Sequence, residues 1–228
     1  MWLTDYRAIP VLAVLSLAVF AAFSIWPVLD LSVSNAFFDG RYFPIEAYPG
    51  IEPVRLALWD GSIGLAIFAL GMTISTALLR APLMGVGVRL WGFIVLMFVL
   101  GPGLLVNRLL KEHWGRARPV DTVNFGGTAQ FTPAYQITDQ CASNCSFVSG
   151  EASGATAMAI ALLLILAANR ARMPDWGFRL GQGIALLVPV FTYWQRVAVG
   201  RHFLSDVVLA ALFVTLIAAI LARAMRLQ

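Results

Sequence analysis

Residues 203–223 read FLSDVVLAALFVTLIAAILAR, an almost entirely apolar run that is long enough to cross a lipid bilayer as a helix. Five further runs of this kind lie upstream, at approximately 8–29, 61–79, 89–110, 152–169 and 180–199. The whole chain is 60% hydrophobic and 12% charged, whereas about a quarter of the residues in soluble domains are charged. We therefore predict an all-α polytopic membrane protein, with six transmembrane helices in one bundle and a single domain over residues 1–228.

The charges between the apolar runs are divided unequally between the two sides of the predicted membrane. One side holds two acids, Asp5 and Asp175, and a larger set of arginines: Arg7, Arg80, Arg89, Arg170, Arg172, Arg179, Arg223 and Arg226. The positive-inside rule makes that side cytoplasmic, together with both termini. The outward loops, 30–60, 111–151 and 196–206, carry the other ten of the twelve acids. In a bacterium these loops would face the periplasm, and the protein would lie in the inner membrane.

Two charged stretches stand where apolar runs meet the outward loops. Residues 111–119 read KEHWGRARP, and residues 196–206 read RVAVGRHFLSD. Together with Arg108 they contain six of the sixteen Lys and Arg residues, as well as both histidines. Cations gathered beside a histidine and a carboxylate at a membrane boundary favour phosphate chemistry on a lipid. Membrane orientation and a phosphate site together explain the net charge of +4, and no motif for nucleic-acid binding is present.

The groups that would hold a phosphate can be assigned within and between these stretches. Lys111, Arg118 and Arg196 supply the cations, and an arginine fork matches two phosphate oxygens. Ser149 and Gly150 directly precede the fourth apolar run, where the start of a helix presents free backbone N–H groups to an anion. These five residues are the predicted phosphate-binding set.

His202 is the predicted nucleophile. Asp206 follows four residues later, on the same face of a helix that begins near residue 202, where it would hold one ring nitrogen and leave the other free. Arg116 and Arg201 are secondary candidates for contacts with phosphate or an anionic headgroup. His113 is a secondary candidate for a proton donor, although a loop histidine beside a tryptophan is more often structural.

The three-part spacing resembles the signature of the type-2 phosphatidic acid phosphatase superfamily. The matching parts are Lys111-x6-Arg118-Pro119, then Ser149-Gly150, then Arg196-x5-His202-x3-Asp206. The resemblance implies six helices with an extracytoplasmic active site and a metal-independent, cofactor-free reaction. By motif position His202 would form a phosphohistidine with Asp206 as its partner, and the predicted phosphate-binding set would hold the phosphate.

The second motif departs from the family's pattern. The family usually has Pro-Ser-Gly-His, whereas residues 148–151 read VSGE, so that Glu151 replaces the histidine that protonates the leaving group. The third motif begins with Gln195 instead of serine, a milder change. Glu151 is a candidate catalytic acid only if it stays protonated. Nearby cations favour the ionised carboxylate, which would instead pair with an arginine or position water. A leaving group that needs little protonation, a diphosphate or an anomeric sugar phosphate, would fit this replacement best.

Two cysteines, Cys141 and Cys145, fall in the outward loop 111–151. A disulfide is possible in an oxidising compartment, and two unpaired thiols remain the alternative. We predict no metal site, because no other cysteine or histidine lies close enough in sequence to complete four ligands.

These observations predict a lipid phosphatase that acts on the outer leaflet. Its partners would be membrane lipids and a lipid phosphate: lipid A phosphates, undecaprenyl diphosphate, phosphatidylglycerol phosphate or phosphatidate. Lipid A 1-phosphate or an isoprenoid diphosphate is favoured by the replacement at Glu151. A lipid phosphotransferase using the same histidine is one alternative, and a non-enzymatic binder or transporter of lipid phosphates is another. The sequence leaves the oligomeric state open.

Overall fold

The computed structural model describes residues 5–227, and within that range the protein is helical and has no β-strand. Residues 1–4 and 228 of the predicted single domain lie outside the described range. The helices are α1 Ala8–Ile25, α2 Val28–Asn35, α3 Ile51–Leu79, α4 Val88–Phe98, α5 Lys111–His113, α6 Gly150–Ala168, α7 Asp175–Ala198 and α8 Leu204–Ala224. A π-helical segment, Val99–Leu110, joins α4 to α5, so that Val88–His113 is one continuous helix of 26 residues.

Five helices are long and apolar enough to cross a membrane: Ala8–Ile25, Ile51–Leu79, Val88–His113, Gly150–Ala168 and Leu204–Ala224. The sixth predicted crossing, 180–199, falls largely within α7, which has 24 residues but carries polar side chains such as Gln182, Gln195 and Arg196 along its length. Length and composition therefore support five of the six predicted crossings. The all-helical fold class is confirmed.

The helix of the second predicted crossing, α3, begins ten residues earlier than the sequence indicated. The sequence placed residues 30–60 in an outward loop and the crossing at 61–79, whereas α3 already begins at Ile51 and the short turn Pro44–Ala47 precedes it. Glu52 and Arg55 are three positions apart on this helix and form an ion pair. The outward loop 30–60 is shortened accordingly, and it also contains most of α2.

The helices alternate in direction, so their ends form two groups. The ends of α1 and α7, together with the short α5, lie at the same end of the bundle as the starts of α3, α6 and α8. Small residues on α6, among them Ala152, Ala157 and Ala161, are buried and allow close helix packing. The arginines on which the orientation was predicted lie towards the opposite end, where the Asn169 side chain donates to the Met84 carbonyl.

Gly115 allows the chain to turn sharply after α5. Its φ is +70°, and a Cβ atom there would overlap the carbonyl group of Thr138. Gly126 is a matched control, because its φ is +87° but a Cβ atom would meet nothing within 4 Å. We expect Gly126→Ala to cost about 1–2 kcal/mol of stability from the backbone conformation alone. Gly115→Ala should cost about 2–5 kcal/mol, because steric overlap is added.

Thermal unfolding of both variants in detergent tests this prediction. A melting temperature for Gly115→Ala equal to that for Gly126→Ala would contradict it, because the overlap with Thr138 would then carry no cost.

Candidate active site

A cavity of about 490 Å³ opens at the end of the bundle where α3, α6 and α8 begin. Its charged wall consists of five cations, three carboxylates and one histidine: Arg55, Lys111, Arg118, Arg196, Arg201, Glu46, Glu52, Glu151 and His202. The three parts of the motif, which are far apart in sequence, therefore meet at this cavity. The excess of cations suits an anionic group such as phosphate.

The predicted phosphate-binding residues divide into a cavity wall and a support behind it. Lys111, Arg118, Gly150 and Arg196 lie on the wall. Ser149 is buried behind Gly150 and begins α6 as its N-cap, where its hydroxyl accepts the Ala152 N–H at 3.3 Å. The backbone amide of Gly150 is the first of the helix and belongs to the turn whose N–H groups have no helical partner. The start of α6 therefore lies at the cavity wall.

Two wall cations are not paired with a carboxylate within residues 5–227. Lys111 is buried, and its ammonium makes no hydrogen bond or ion pair to any described residue. Arg118 is half-buried and donates from Nη2 to the Asn144 carbonyl at 2.8 Å. By contrast, Arg201 is held by Glu46 at 2.5 Å. Lys111 and Arg118 are therefore the cations most free to meet an incoming phosphate.

His202 presents one ring nitrogen to the cavity and uses the other to fix the ring. Its Nδ1 lies 2.8 Å from the Ser146 carbonyl oxygen. Because a carbonyl only accepts, Nδ1 carries the proton and Nε2 keeps its lone pair. Burial lowers the pKa of His202 from 6.5 to about 3, and the cations Lys111 and Arg118 contribute in the same direction, although Asp206 opposes them. The ring is therefore neutral at physiological pH, as a nucleophile requires.

Asp206 does not hold the ring directly, and this corrects the prediction made from its spacing. Its Oδ2 lies 3.8 Å from the Nδ1 of His202, and the hydrogen bond from Nδ1 goes to Ser146 instead. The carboxylate accepts three other donors: Ser146 Oγ at 2.6 Å, Arg116 Nη1 at 2.7 Å and the Phe203 N–H at 2.9 Å. Asp206 is thus connected to the ring through one intervening residue, Ser146.

Arg116 is not a cavity residue, which corrects its assignment as a secondary phosphate contact. Its side chain is fully buried, and its guanidinium donates to Asp206, Asp30, Ser205 and the Thr132 carbonyl, all at 2.7–2.8 Å. Burial disfavours its charge, but the two carboxylates outweigh this effect and raise the pKa of Arg116. Arg116 therefore supports the site from behind.

Glu151 lies on the cavity wall and is shared by two arginines. Its Oε1 accepts from Arg196 Nη1 at 2.7 Å and from Arg55 Nη1 at 2.9 Å. Both hydrogen bonds are charge-assisted, and the oxygen is the acceptor in each. Of the roles left open by the sequence, this geometry favours the arginine partner over the catalytic acid.

His113 does not reach the cavity, so the structure removes it as a candidate proton donor. Its side chain is exposed, and its Nδ1 lies 2.8 Å from the Leu109 carbonyl one turn earlier. In the same outward loop the structure joins Cys141 and Cys145 in a disulfide, which is one of the two alternatives considered for them.

Sequence reasoning missed several residues that the structure places at or behind the cavity, among them Arg55, Asp30 and Ser146. Arg55 comes from the segment assigned to the outward loop 30–60, and it binds both Glu52 and Glu151. Asp30 and Ser146 lie in outward segments that match none of the recognised motifs. The available signal for Asp30 was an isolated acid next to an apolar run, since a buried carboxylate needs a cationic partner.

Comparisons with known proteins agree with the family resemblance. The family model described as the PAP2 superfamily matches residues 89–228. A lipid A 4'-phosphatase of Rhizobium etli is 45% identical over 112 residues, which are 49% of this chain and 40% of the relative. A lipid A 4'-phosphatase of Francisella tularensis subsp. novicida is 38% identical over 124 residues, 54% of this chain and 52% of the relative. The chain thus matches about half of these relatives' length or less.

The fold also resembles a solved structure along nearly its whole length. The crystal structure of a transmembrane PAP2-type phosphatidylglycerolphosphate phosphatase from Bacillus subtilis aligns with a TM-score of 0.61 and 19% sequence identity. The alignment covers 97% of this chain and 98% of the other. At this level of identity the likeness concerns the fold.

Proposed function

This chain belongs to the PAP2 superfamily, and from that premise we propose that it is a membrane lipid phosphatase that hydrolyses a phosphomonoester of a lipid A-type glycolipid. The observation that carries the proposal is the His202 ring, fixed through Nδ1 on the Ser146 carbonyl, in a cavity whose wall also holds Lys111 and Arg118. The relatives' names point to the 4'-phosphate, so we place that substrate ahead of the 1-phosphate and of isoprenoid diphosphates.

The proposed reaction has two steps on one histidine. Nε2 of His202 attacks phosphorus, the N–P bond forms, and the P–O bond to the sugar breaks with its electron pair on the leaving oxygen. Lys111, Arg118 and the Gly150 N–H meet the charge on the peripheral phosphate oxygens. Water then attacks the phosphohistidine, giving inorganic phosphate and the neutral imidazole, while the leaving oxygen is protonated from water.

An adjacent apolar cavity supports a lipid substrate. It has a volume of about 470 Å³, lies between α3 and the π-helical segment, and shares Trp59 and Asn107 with the charged cavity. A lipid whose headgroup is bound at His202 would have its acyl chains beside this apolar cavity. We further propose that α7 is the sixth crossing helix, with the charged cavity at the periplasmic face of the inner membrane and both termini in the cytoplasm. The arginines at the opposite end of the bundle support this orientation.

Phosphate release from a lipid panel tests the proposed function. The purified protein is assayed in detergent with EDTA against lipid A carrying only the 4'- or only the 1-phosphate, undecaprenyl diphosphate, phosphatidylglycerol phosphate and phosphatidate. We expect fastest release from the 4'-phosphate. Release from none of them would overturn the proposal. Transfer of the phosphoryl group to another lipid, without free phosphate, would identify a phosphotransferase, and binding without either product would identify a transporter or binder.

We expect Glu151→Gln to lower kcat/KM about tenfold, because the charge-assisted hydrogen bonds from Arg55 and Arg196 weaken. The factor should be similar for the 1-phosphate and the 4'-phosphate. A positioning role also leaves the alkaline side of the pH–rate profile in place. The matched control is Glu112→Gln, which removes an exposed carboxylate paired with Arg108 outside the cavity.

A loss confined to the 4'-phosphate, together with a vanished alkaline limb and rescue by Glu151→His, would contradict this role. Glu151 would then be the acid that protonates the poorer leaving group.

A further inference from the structure

We propose that Asp30 is a positioning residue for His202 and that it acts through Arg116, Asp206 and Ser146. This inference rests on the proposed function, since it concerns the reactivity of the same histidine. Asp30 lies in α2, outside the segment that the family model matches and outside all three motifs. No residue of α2 lines the charged cavity within the described part of the chain.

Asp30 accepts hydrogen bonds from Arg116 and from Ser205 at the start of α8. Asp30 Oδ2 accepts from Arg116 Nη2 at 2.8 Å and from Ser205 Oγ at 2.6 Å, while Oδ1 accepts the Ser205 N–H at 2.8 Å. All three partners are donors, the pattern that an ionised carboxylate requires. Both side chains of the Asp30–Arg116 pair are 1% exposed, so solvent hardly screens them.

Hydrogen bonds connect Arg116 to the ring of His202 through Asp206 and Ser146. Arg116 Nη1 donates to Asp206 Oδ1 at 2.7 Å, and the Arg116 carbonyl accepts the Ser146 N–H at 2.8 Å. Ser146 in turn donates from Oγ to Asp206 Oδ2 at 2.6 Å and accepts the Nδ1 proton of His202. Arg116 thus fixes Ser146 both directly and through Asp206. The position of the carbonyl that orients the ring depends on where Arg116 is held.

The charge of this network also acts on the ring of His202. Asp30, Arg116 and Asp206 together carry one net negative charge, buried close to a ring that is neutral at rest. When Nε2 attacks phosphorus, His202 becomes positively charged, and the net negative charge favours that state. Asp30→Asn would bring the network to zero charge while retaining the shape of the side chain. The loss would fall on the chemical step, because no cavity cation changes.

Kinetics of Asp30→Asn on the lipid phosphate that the wild-type protein hydrolyses fastest test the inference. We expect kcat to fall about 10–100-fold, the cost of a misplaced reacting group. KM and the inhibition constant of inorganic phosphate should stay within about twofold, because the cations of the cavity wall are intact. The single-turnover rate constant at saturating enzyme should fall with kcat. A merely structural role would lower the folded fraction and leave that rate constant unchanged.

Two further variants make the result decisive. Asp39→Asn is the matched control, since Asp39 accepts backbone N–H groups in the same outward segment but lies outside the cavity and the network. If Asp30→Asn does not fold, Ser205→Ala removes only the hydroxyl between Asp30 and Arg116 and should still lower kcat several-fold at constant KM. A kcat of either folded variant equal to that of the wild type would overturn the inference. Lack of activity in the wild type would instead overturn the proposed function.

Discussion

Replacing His202 by alanine is expected to lower phosphate release by at least about 10⁴-fold, the loss typical of removing a catalytic nucleophile. Nε2 is the group that the structure leaves free in the charged cavity, while Nδ1 is fixed on the Ser146 carbonyl. The variant should still bind inorganic phosphate, because Lys111 and Arg118 are unchanged. The measurement is lipid phosphate hydrolysis at fixed substrate, together with an alkaline, denaturing quench that traps labelled phosphate on the protein, because the N–P bond of a phosphohistidine is lost in acid.

His113→Ala is the control for this experiment, because His113 is exposed and turned away from the cavity. It should retain wild-type hydrolysis and wild-type labelling. Since the pKa of His202 is lowered to about 3, protonation of the ring should not limit the free enzyme between pH 5 and pH 8. Labelled phosphate on the His202→Ala protein, or undiminished hydrolysis, would contradict the assignment of the nucleophile.

Most of the helices, and the part of the cavity wall formed by Lys111, Arg118 and His202, were predictable because they follow from local sequence. Apolar length marks the crossings, and the alternation of crossings decides which helix ends meet. Lys111, Arg118 and His202 each stand at such an end on the same side, so their convergence follows from topology. The start of α3 was not predictable in this way, because Glu52 and Arg55 look like loop charges until they are paired along a helix.

The support behind the wall could not be predicted, because it depends on contacts between segments far apart in sequence. Spacing placed Asp206 near His202. It could not show that the Ser146 carbonyl accepts the hydrogen bond from the ring, or that Arg116 donates to the Asp206 carboxylate. For Arg116 the same spacing suggested a phosphate contact. The spacing of a motif does not show whether an arginine is buried. The position of Asp30 in the fold distinguishes Arg116, which pairs with it, from Arg118, which does not.

That distinction predicts opposite results for two arginines only two positions apart. We expect Arg116→Met to destabilise the protein by about 3–5 kcal/mol, the typical cost of removing one partner of a buried ion pair. Arg118 is half-buried and its guanidinium donates to a carbonyl, so Arg118→Met should change stability by about 1 kcal/mol or less and act on phosphate binding instead. Thermal and denaturant unfolding in detergent, with KM for the substrate, separate the two effects.

The large cost arises because Arg116→Met leaves two carboxylates buried around an apolar side chain. Burial already raises the pKa of Asp30 even with the guanidinium beside it, so without Arg116 a carboxylate must bind a proton or stay uncompensated. Adding Asp30→Asn to Arg116→Met removes one of these charges and should recover part of the lost stability, whereas independent sites would give additive losses. Equal stability losses for Arg116→Met and Arg118→Met would contradict the buried network, because both guanidiniums would then be as dispensable as surface charges.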